Sequence, residues 1–309
     1  MTNQLAIVFP GQGSQFVGML ADIAKQYPEV KETFAESSSV LDYDLWKLTA
    51  EGPAEELDKT IHTQPALLTA SYAIWRIIQA RKPITPMMLA GHSLGEYTAL
   101  VCAQSLAFTD AVKLVAARGQ YMQEAVSQGT GAMAALIGLD EDVVNEICQQ
   151  AKEGDEILSP ANFNSIGQIV VAGHKTAVER AIHLAKEKGA KIAMLIPVSV
   201  PSHCELMKPA ALRLEKLLAV MNLQIPKIPV ISNVDVCAYD NVDAIRDGLV
   251  RQLFHPVQWV KTIQYFAQNG VTQILECGPG KILSGLNKRI DKNLQLMNTS
   301  DLENLNTLL

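Results

Sequence analysis

Apolar residues along the chain follow two rhythms that alternate. Short unbroken apolar runs closed by glycine or proline are separated by longer stretches in which apolar positions recur every three or four residues. Leu5-Ala6-Ile7-Val8-Phe9, stopped by Pro10-Gly11, reads as a strand buried on both faces. The loop Gly11-Gln12-Gly13-Ser14-Gln15 leads into a helix that should end before Pro28. Gln64 to Ala80 is rich in Ala and Leu and predicts a helix with Pro65 in its first turn. Met87-Met88-Leu89-Ala90, ending at Gly91, predicts a second strand. Strand and helix in alternation point to a parallel α/β architecture.

The middle of the chain changes rhythm. Strands are predicted at Ala132 to Ile137, Ile157 to Phe163, Gln168 to Ala172 and Lys191 to Val198, with helices at Glu141 to Lys152 and Thr176 to Lys188. This βαββαβ order is the ferredoxin-like pattern. Gly129-Thr130-Gly131 and Val200-Pro201-Ser202 are candidate hinges on either side. Beyond them helix and strand alternate again: Glu205 to Met221, Val230 to Ser232, Asp243 to Phe254, Gln258 to Gln268 and Gln273 to Glu276. The expected organisation is one discontinuous α/β domain, residues 1–128 with 200–309, carrying a small inserted domain at 129–199.

Composition narrows the class. The 309 residues are 48% hydrophobic and 19% charged, enough apolar material for a large core and unlike a disordered chain. Lys+Arg 26 against Asp+Glu 32 gives −6, which does not suggest the concentrated basic face that nucleic-acid binding requires. Five scattered cysteines (Cys102, Cys148, Cys204, Cys237, Cys277), with no C-x-x-C, read as reduced thiols, not a disulfide frame or a zinc cluster. Met1-Thr2-Asn3-Gln4 lacks the basic flank of a signal peptide, and no apolar stretch is long enough to span a bilayer. The expectation is a cytoplasmic enzyme with no metal and no membrane partner.

Gly91-His92-Ser93-Leu94-Gly95 matches G-x-S-x-G, and its setting matters more than the string. A predicted strand precedes it and a helix follows from about Leu94, the strand–turn–helix of a nucleophile elbow. Flanking glycines allow the tight turn, and the helix N-terminus aims N–H groups at a developing oxyanion. The plainer alternative is a glycine-rich turn with an N-capping serine.

A serine hydroxyl needs a base. Of six histidines, His183 in a polar amphipathic helix and His174 in a turn after Gly173 read as solvated, His62 and His255 lie near helix ends suited to capping or packing, and His92 sits inside the sharp turn itself. His203 lies after a predicted strand and a proline break, at the strand ends where sites gather in open α/β sheets.

Thr109 or Asp110 can cap a helix running to about Val126, with apolar positions Ala111, Val115, Met122 and Ala125. Arg118 falls within that stripe, which puts an always-charged guanidinium on the buried face. Such a charge needs an anion, either an internal Asp or Glu or a substrate carboxylate gripped bidentately.

Together these residues resemble the malonyl-CoA:acyl carrier protein transacylase family of bacterial fatty-acid synthesis, and the likeness runs along essentially the whole chain. It is carried by Phe9-Pro10-Gly11-Gln12-Gly13-Ser14-Gln15, Gln64-Pro65-Ala66-Leu67, Gly91 to Tyr97, Arg118-Gly119, Val200-Pro201-Ser202-His203, Asn233-Val234, Pro256-Val257-Gln258-Trp259 and Gly278-Pro279-Gly280. The resemblance implies an α/β-hydrolase-like large domain with an inserted ferredoxin-like small one. It implies that Ser93 is the acylated nucleophile, His203 its base, and Arg118 the holder of the malonyl carboxylate. The backbone N–H groups of Gln12 and Leu94 would form the oxyanion hole, and the backbone carbonyl of Gln252 would orient His203. The implied reaction is ping-pong transfer from malonyl-CoA, through malonyl-serine, to the phosphopantetheine thiol of acyl carrier protein, with no cofactor.

Other signals add less. Phe16 occupies the third glycine position of a G-x-G-x-x-G, which rules out a dinucleotide loop. Gly278-Pro279-Gly280 reads as a turn, and Cys204 as a packed thiol. Lys281, Lys288 and Arg289 could meet an acidic carrier protein, although a solvated helix face is the simpler reading. Competing classes are a serine hydrolase or thioesterase, which needs no buried arginine, and an idle carrier-binding module, which needs no Ser93. A related acyltransferase serving polyketide assembly also fits.

Overall fold

The computed structural model describes residues 4–127, 129–198 and 200–309. Met1 to Asn3, read above for targeting, and residues 128 and 199, the expected segment ends, lie outside the described residues. Strands β1 (Leu5–Phe9), β2 (Met88–Gly91), β3 (Gly131–Ile137), β4 (Leu158–Ser165), β5 (Gln168–His174), β6 (Ile192–Leu195), β7 (Gln273–Glu276) and β8 (Gln295–Asn298) form two sheets in a mixed α/β fold.

The first sheet is parallel, in the order β2-β1-β7-β8. Its central strand explains the opening apolar run. Ile7 and Phe9 pack into one core with Leu67, Ile74 and Leu100, whereas Ala6 and Val8 pack into another with Trp259, Ile263 and Phe266. Phe9 pairs with Gly91, so the loops leaving β1 and β2 emerge side by side at the C-terminal edge, where sites form in such sheets.

The second sheet is antiparallel, in the order β4-β5-β3-β6. Ala134, Leu136, Ile169 and Val171 pack under the helices Glu141–Gln150 and Lys175–Glu187. Met133, Val170 and Ala172 face the other way, toward Cys204. Reciprocal backbone bonds, Phe163 N–H to Val257 at 3.0 Å and Val257 N–H to Ala161 at 2.9 Å, join this sheet to the rest of the molecule.

Three expectations are corrected. The long helix spans Thr60–Arg81, so Pro65 is its sixth residue; the Lys59 carbonyl accepts from His62 and Thr63 and starts the helix a turn early. The arginine helix is Phe108–Glu124 with Ala107 at the cap, not Thr109 or Asp110, because Phe108 is drawn in to stack on Tyr72 at 4.5 Å. Val230 to Ser232 contributes only isolated bridges, Leu89 with Val230 and Ile231 with Ala238, while β8 and the helix Leu302–Leu308 lacked a clear signal.

Candidate active site

The elbow is built by close contact. Ser93 has φ 51°, in the left-handed region, between β2 and the helix Gly95–Cys102. A Cβ on Gly91 would lie 1.8 Å from the Gly95 carbonyl carbon, and one on Gly95 would lie 2.1 Å from the Phe9 carbonyl oxygen. Both glycines of the motif are therefore required by the turn's approach to itself and to β1. Asn233 holds this strained backbone: its Oδ1 accepts the Ser93 N–H at 2.7 Å, and its Nδ2 donates to the Gly91 carbonyl at 2.7 Å. Residue-by-residue sequence reasoning assigned Asn233 no role, since nothing in a single sequence marks a buried asparagine in a loop.

His203 Nε2 lies 2.8 Å from Ser93 Oγ. Its Nδ1 meets the Gln252 carbonyl oxygen at 2.7 Å, and because a carbonyl only accepts, Nδ1 carries the proton and Nε2 is free to accept from the serine. The His203 N–H donates to the Leu253 carbonyl at 2.9 Å, so the end of the helix Val242–Gln252 grips both the ring and the backbone. His203 is 3% exposed; burial and then the Arg118 charge hold its pKa down at about 3, which keeps the imidazole neutral.

Arg118 is 1% exposed, as its helix face predicted. Nη1 donates to Gln64 Oε1 at 2.8 Å, and Nη2 donates to Gln252 Oε1 at 2.9 Å and to Ser93 Oγ at 3.3 Å. Nε has no partner among the described residues. The anticipated internal Asp or Glu is absent from direct contact: no carboxylate among the described residues lies within ion-pair distance. Two glutamine oxygens take its place, and the nearest acid is one amide further away.

That acid is Glu96, wholly buried in the first turn after the elbow. Tyr239 donates to its Oε1 at 2.6 Å, Gln252 Nε2 donates to its Oε2 at 2.6 Å, and the Asn233 N–H lies 3.4 Å from both oxygens. Burial raises the carboxyl pKa to about 7 against the pull of these donors. Sequence reasoning missed Glu96 as well, reading it only as helix.

Ser93, His203, Arg118, Gln12, Leu94 and the small-sheet residues Met133 and Val170 line a cavity of about 170 Å³. The backbone N–H groups of Gln12 and Leu94 donate to no other group among the described residues. A larger groove of about 590 Å³, between Tyr43, His62 and Gln120, contains none of these residues. The arrangement suits acyl transfer: a serine on an elbow, a neutral oriented base, two free N–H groups and a buried cation. The family model for the acyl transferase domain matches residues 6–286.

The chain belongs to the acyl transferase family.

Similar members of this acyl transferase family cover 93% or more of the chain. A malonyl CoA-acyl carrier protein transacylase of Escherichia coli strain K12 is 61% identical over 288 residues, 93% of each chain. The solved acyl carrier protein S-malonyltransferase of Vibrio cholerae O1 biovar eltor is 55% identical, with a TM-score of 0.96 over 99% of this chain and 100% of that one. A malonyl-transacylase solved in complex with a type II PKS acyl-carrier protein is 53% identical, with a TM-score of 0.97 over 99% and 98%.

The remaining histidines have other partners. His92 Nε2 bonds Asn164 Oδ1 at 2.8 Å, His62 Nδ1 bonds the Glu56 carbonyl at 2.8 Å, and His174 Nδ1 accepts the Ile157 N–H at 2.8 Å, so His174 is not simply solvated. His183 is exposed, and the His255 ring tilts against Phe254. Cys204 is a buried thiol that donates to the Pro201 carbonyl. Lys281, Lys288 and Arg289 are exposed, and Arg289 is tied to Ser165 and Gln168. Among the described residues no helix is long and apolar enough to cross a membrane.

Proposed function

We propose that this acyl transferase moves the malonyl group from malonyl-CoA to the phosphopantetheine thiol of acyl carrier protein by a ping-pong route. The observation that carries the reading is a single oxygen, Ser93 Oγ, with His203 Nε2 at 2.8 Å and Arg118 Nη2 at 3.3 Å. Base and anion receptor therefore address the same small cavity. Ser93 Oγ attacks the thioester carbonyl while His203 takes its proton. The N–H groups of Gln12 and Leu94 receive the oxyanion, and such donors contribute about 3 kcal/mol each. Collapse expels the coenzyme A thiolate, which takes the proton from His203. The carrier thiol then yields its proton to His203 and attacks the malonyl ester, and the departing Ser93 oxygen takes that proton back from His203, which restores the free enzyme. No step needs a cofactor.

Arg118 receives the malonyl carboxylate, which singles out malonyl from acetyl groups. The backbone carbonyl of Gln252 replaces the acidic triad member that a serine hydrolase would use, because it fixes the same tautomer. The βαββαβ connectivity and the β4-β5-β3-β6 order support a ferredoxin-like small domain, residues 129–199. It is inserted in an α/β-hydrolase-like domain made of 1–128 and 200–309, with the site between them. A cytoplasmic location and a role in fatty-acid synthesis complete the reading. The relative solved with a type II PKS carrier keeps polyketide supply as a second role for the same chemistry.

Intact mass after mixing with malonyl-CoA tests the reading. A malonyl adduct is expected on the wild-type protein and none on Ser93→Ala, with the adduct discharged by holo-carrier protein. Hydrolysis of malonyl-CoA with no discharge to the carrier would establish a hydrolase instead.

A further inference from the structure

The Gln252 side chain does something its backbone carbonyl does not. A guanidinium can only donate, so only the carboxamide oxygen of Gln252 can meet Arg118. A carboxamide turned end for end occupies the same space, so something must select the orientation. The Nε2 group faces two acceptors, the Ser93 carbonyl at 2.9 Å and Glu96 Oε2 at 2.6 Å. Turned around, the amide would set its oxygen against both acceptors and its NH2 against Arg118.

We propose that Glu96 is a positioning residue of the acyl transferase, whose carboxylate fixes the orientation of the Gln252 carboxamide and thereby aims Arg118 at the substrate carboxylate. The inference rests on the function proposed above. It deepens that reading by adding a residue that governs acyl-group choice from outside the cavity lining.

Glu96 is itself held firmly enough for this role. It is fully buried, Tyr239 donates to Oε1 at 2.6 Å, and the backbone N–H of Asn233, whose side chain also pins Ser93, lies 3.4 Å from both oxygens. The ionisable and charged groups around it are Arg118, Tyr97 and Tyr239. The role requires an acceptor at Oε2, not a charge. A protonated Glu96 still satisfies it, because the acid proton can sit on Oε1 against the Tyr239 oxygen.

The test measures the rates of Ser93 malonylation and acetylation on one preparation and takes their ratio, which an unfolded fraction does not change. Glu96→Ala should lower the malonyl-to-acetyl ratio about tenfold, the size of one lost hydrogen bond. Glu96→Gln, whose amide oxygen can face Gln252 while its NH2 meets Tyr239, should restore the ratio. In a Gln252→Ala background, adding Glu96→Ala should lower the ratio no further. An unchanged ratio in Glu96→Ala, failure of Glu96→Gln to restore it, or full additivity with Gln252→Ala would each overturn the proposal. A wild-type protein with no preference for malonyl would instead defeat the reading of Arg118 itself, and the role of Glu96 with it.

Discussion

Asn233 accepts the backbone N–H of Ser93 at 2.7 Å, across 140 residues of sequence. The serine's left-handed conformation is unfavourable for any residue with a Cβ, and this bond together with the one to Gly91 keeps the elbow closed. Asn233→Ala removes both bonds and leaves an N–H and a carbonyl without partners. The expected loss is about 3 kcal/mol of stability by urea denaturation, with a slower single-turnover malonylation. Wild-type stability in that variant would show that the elbow holds itself.

Arg118→Ala should lower kcat/KM for malonyl-CoA by about 3 kcal/mol, roughly a hundredfold, while leaving acetylation of Ser93 little changed. Arg118→Lys should not rescue it. One ammonium cannot reach Gln64 and Gln252 together as the forked guanidinium does. Unchanged malonyl selectivity in the alanine variant would remove the arginine from the account.

The pH behaviour follows from two buried groups with opposite signs. The folded pKa of His203 lies far below that of an exposed histidine, so its contribution to stability is present above about pH 6.5 and is lost as the pH falls toward 3. The acid limb of single-turnover malonylation should accordingly lie well below 6.5. Glu96 has a raised pKa of about 7, so its contribution is present below about 4.5 and is lost as the pH rises through 7. Glu96→Gln should therefore gain on the wild type between pH 5 and 8, by about 3 kcal/mol at most in urea denaturation. A constant difference between the two proteins across that range would contradict the burial argument.

Much of the fold is legible because burial on one face or both leaves a period in the sequence. Leu5 to Phe9 is a continuous apolar run because cores lie on both sides of β1. Arg118 is conspicuous because it interrupts the apolar stripe of its own helix. The limits of the longer helices are less legible: Phe108 enters its helix because of Tyr72, and the start at Thr60 is set by the Lys59 carbonyl. Such contacts leave no period.

The sequence by itself determined the alternation of strands and helices, the glycines that let Ser93 stand in a sharp turn, and a buried cation on the Phe108–Glu124 helix. These are local properties, set by spacing and by the absence of side chains at two positions. Only the tertiary structure decided the partners: His203 on Ser93 from 110 residues away, Gln252 between His203 and Arg118, Asn233 beneath the elbow and Glu96 behind Gln252. Hydrogen bonds act over about 3 Å and need a donor opposite an acceptor, so which residues share one depends on how distant segments are brought together.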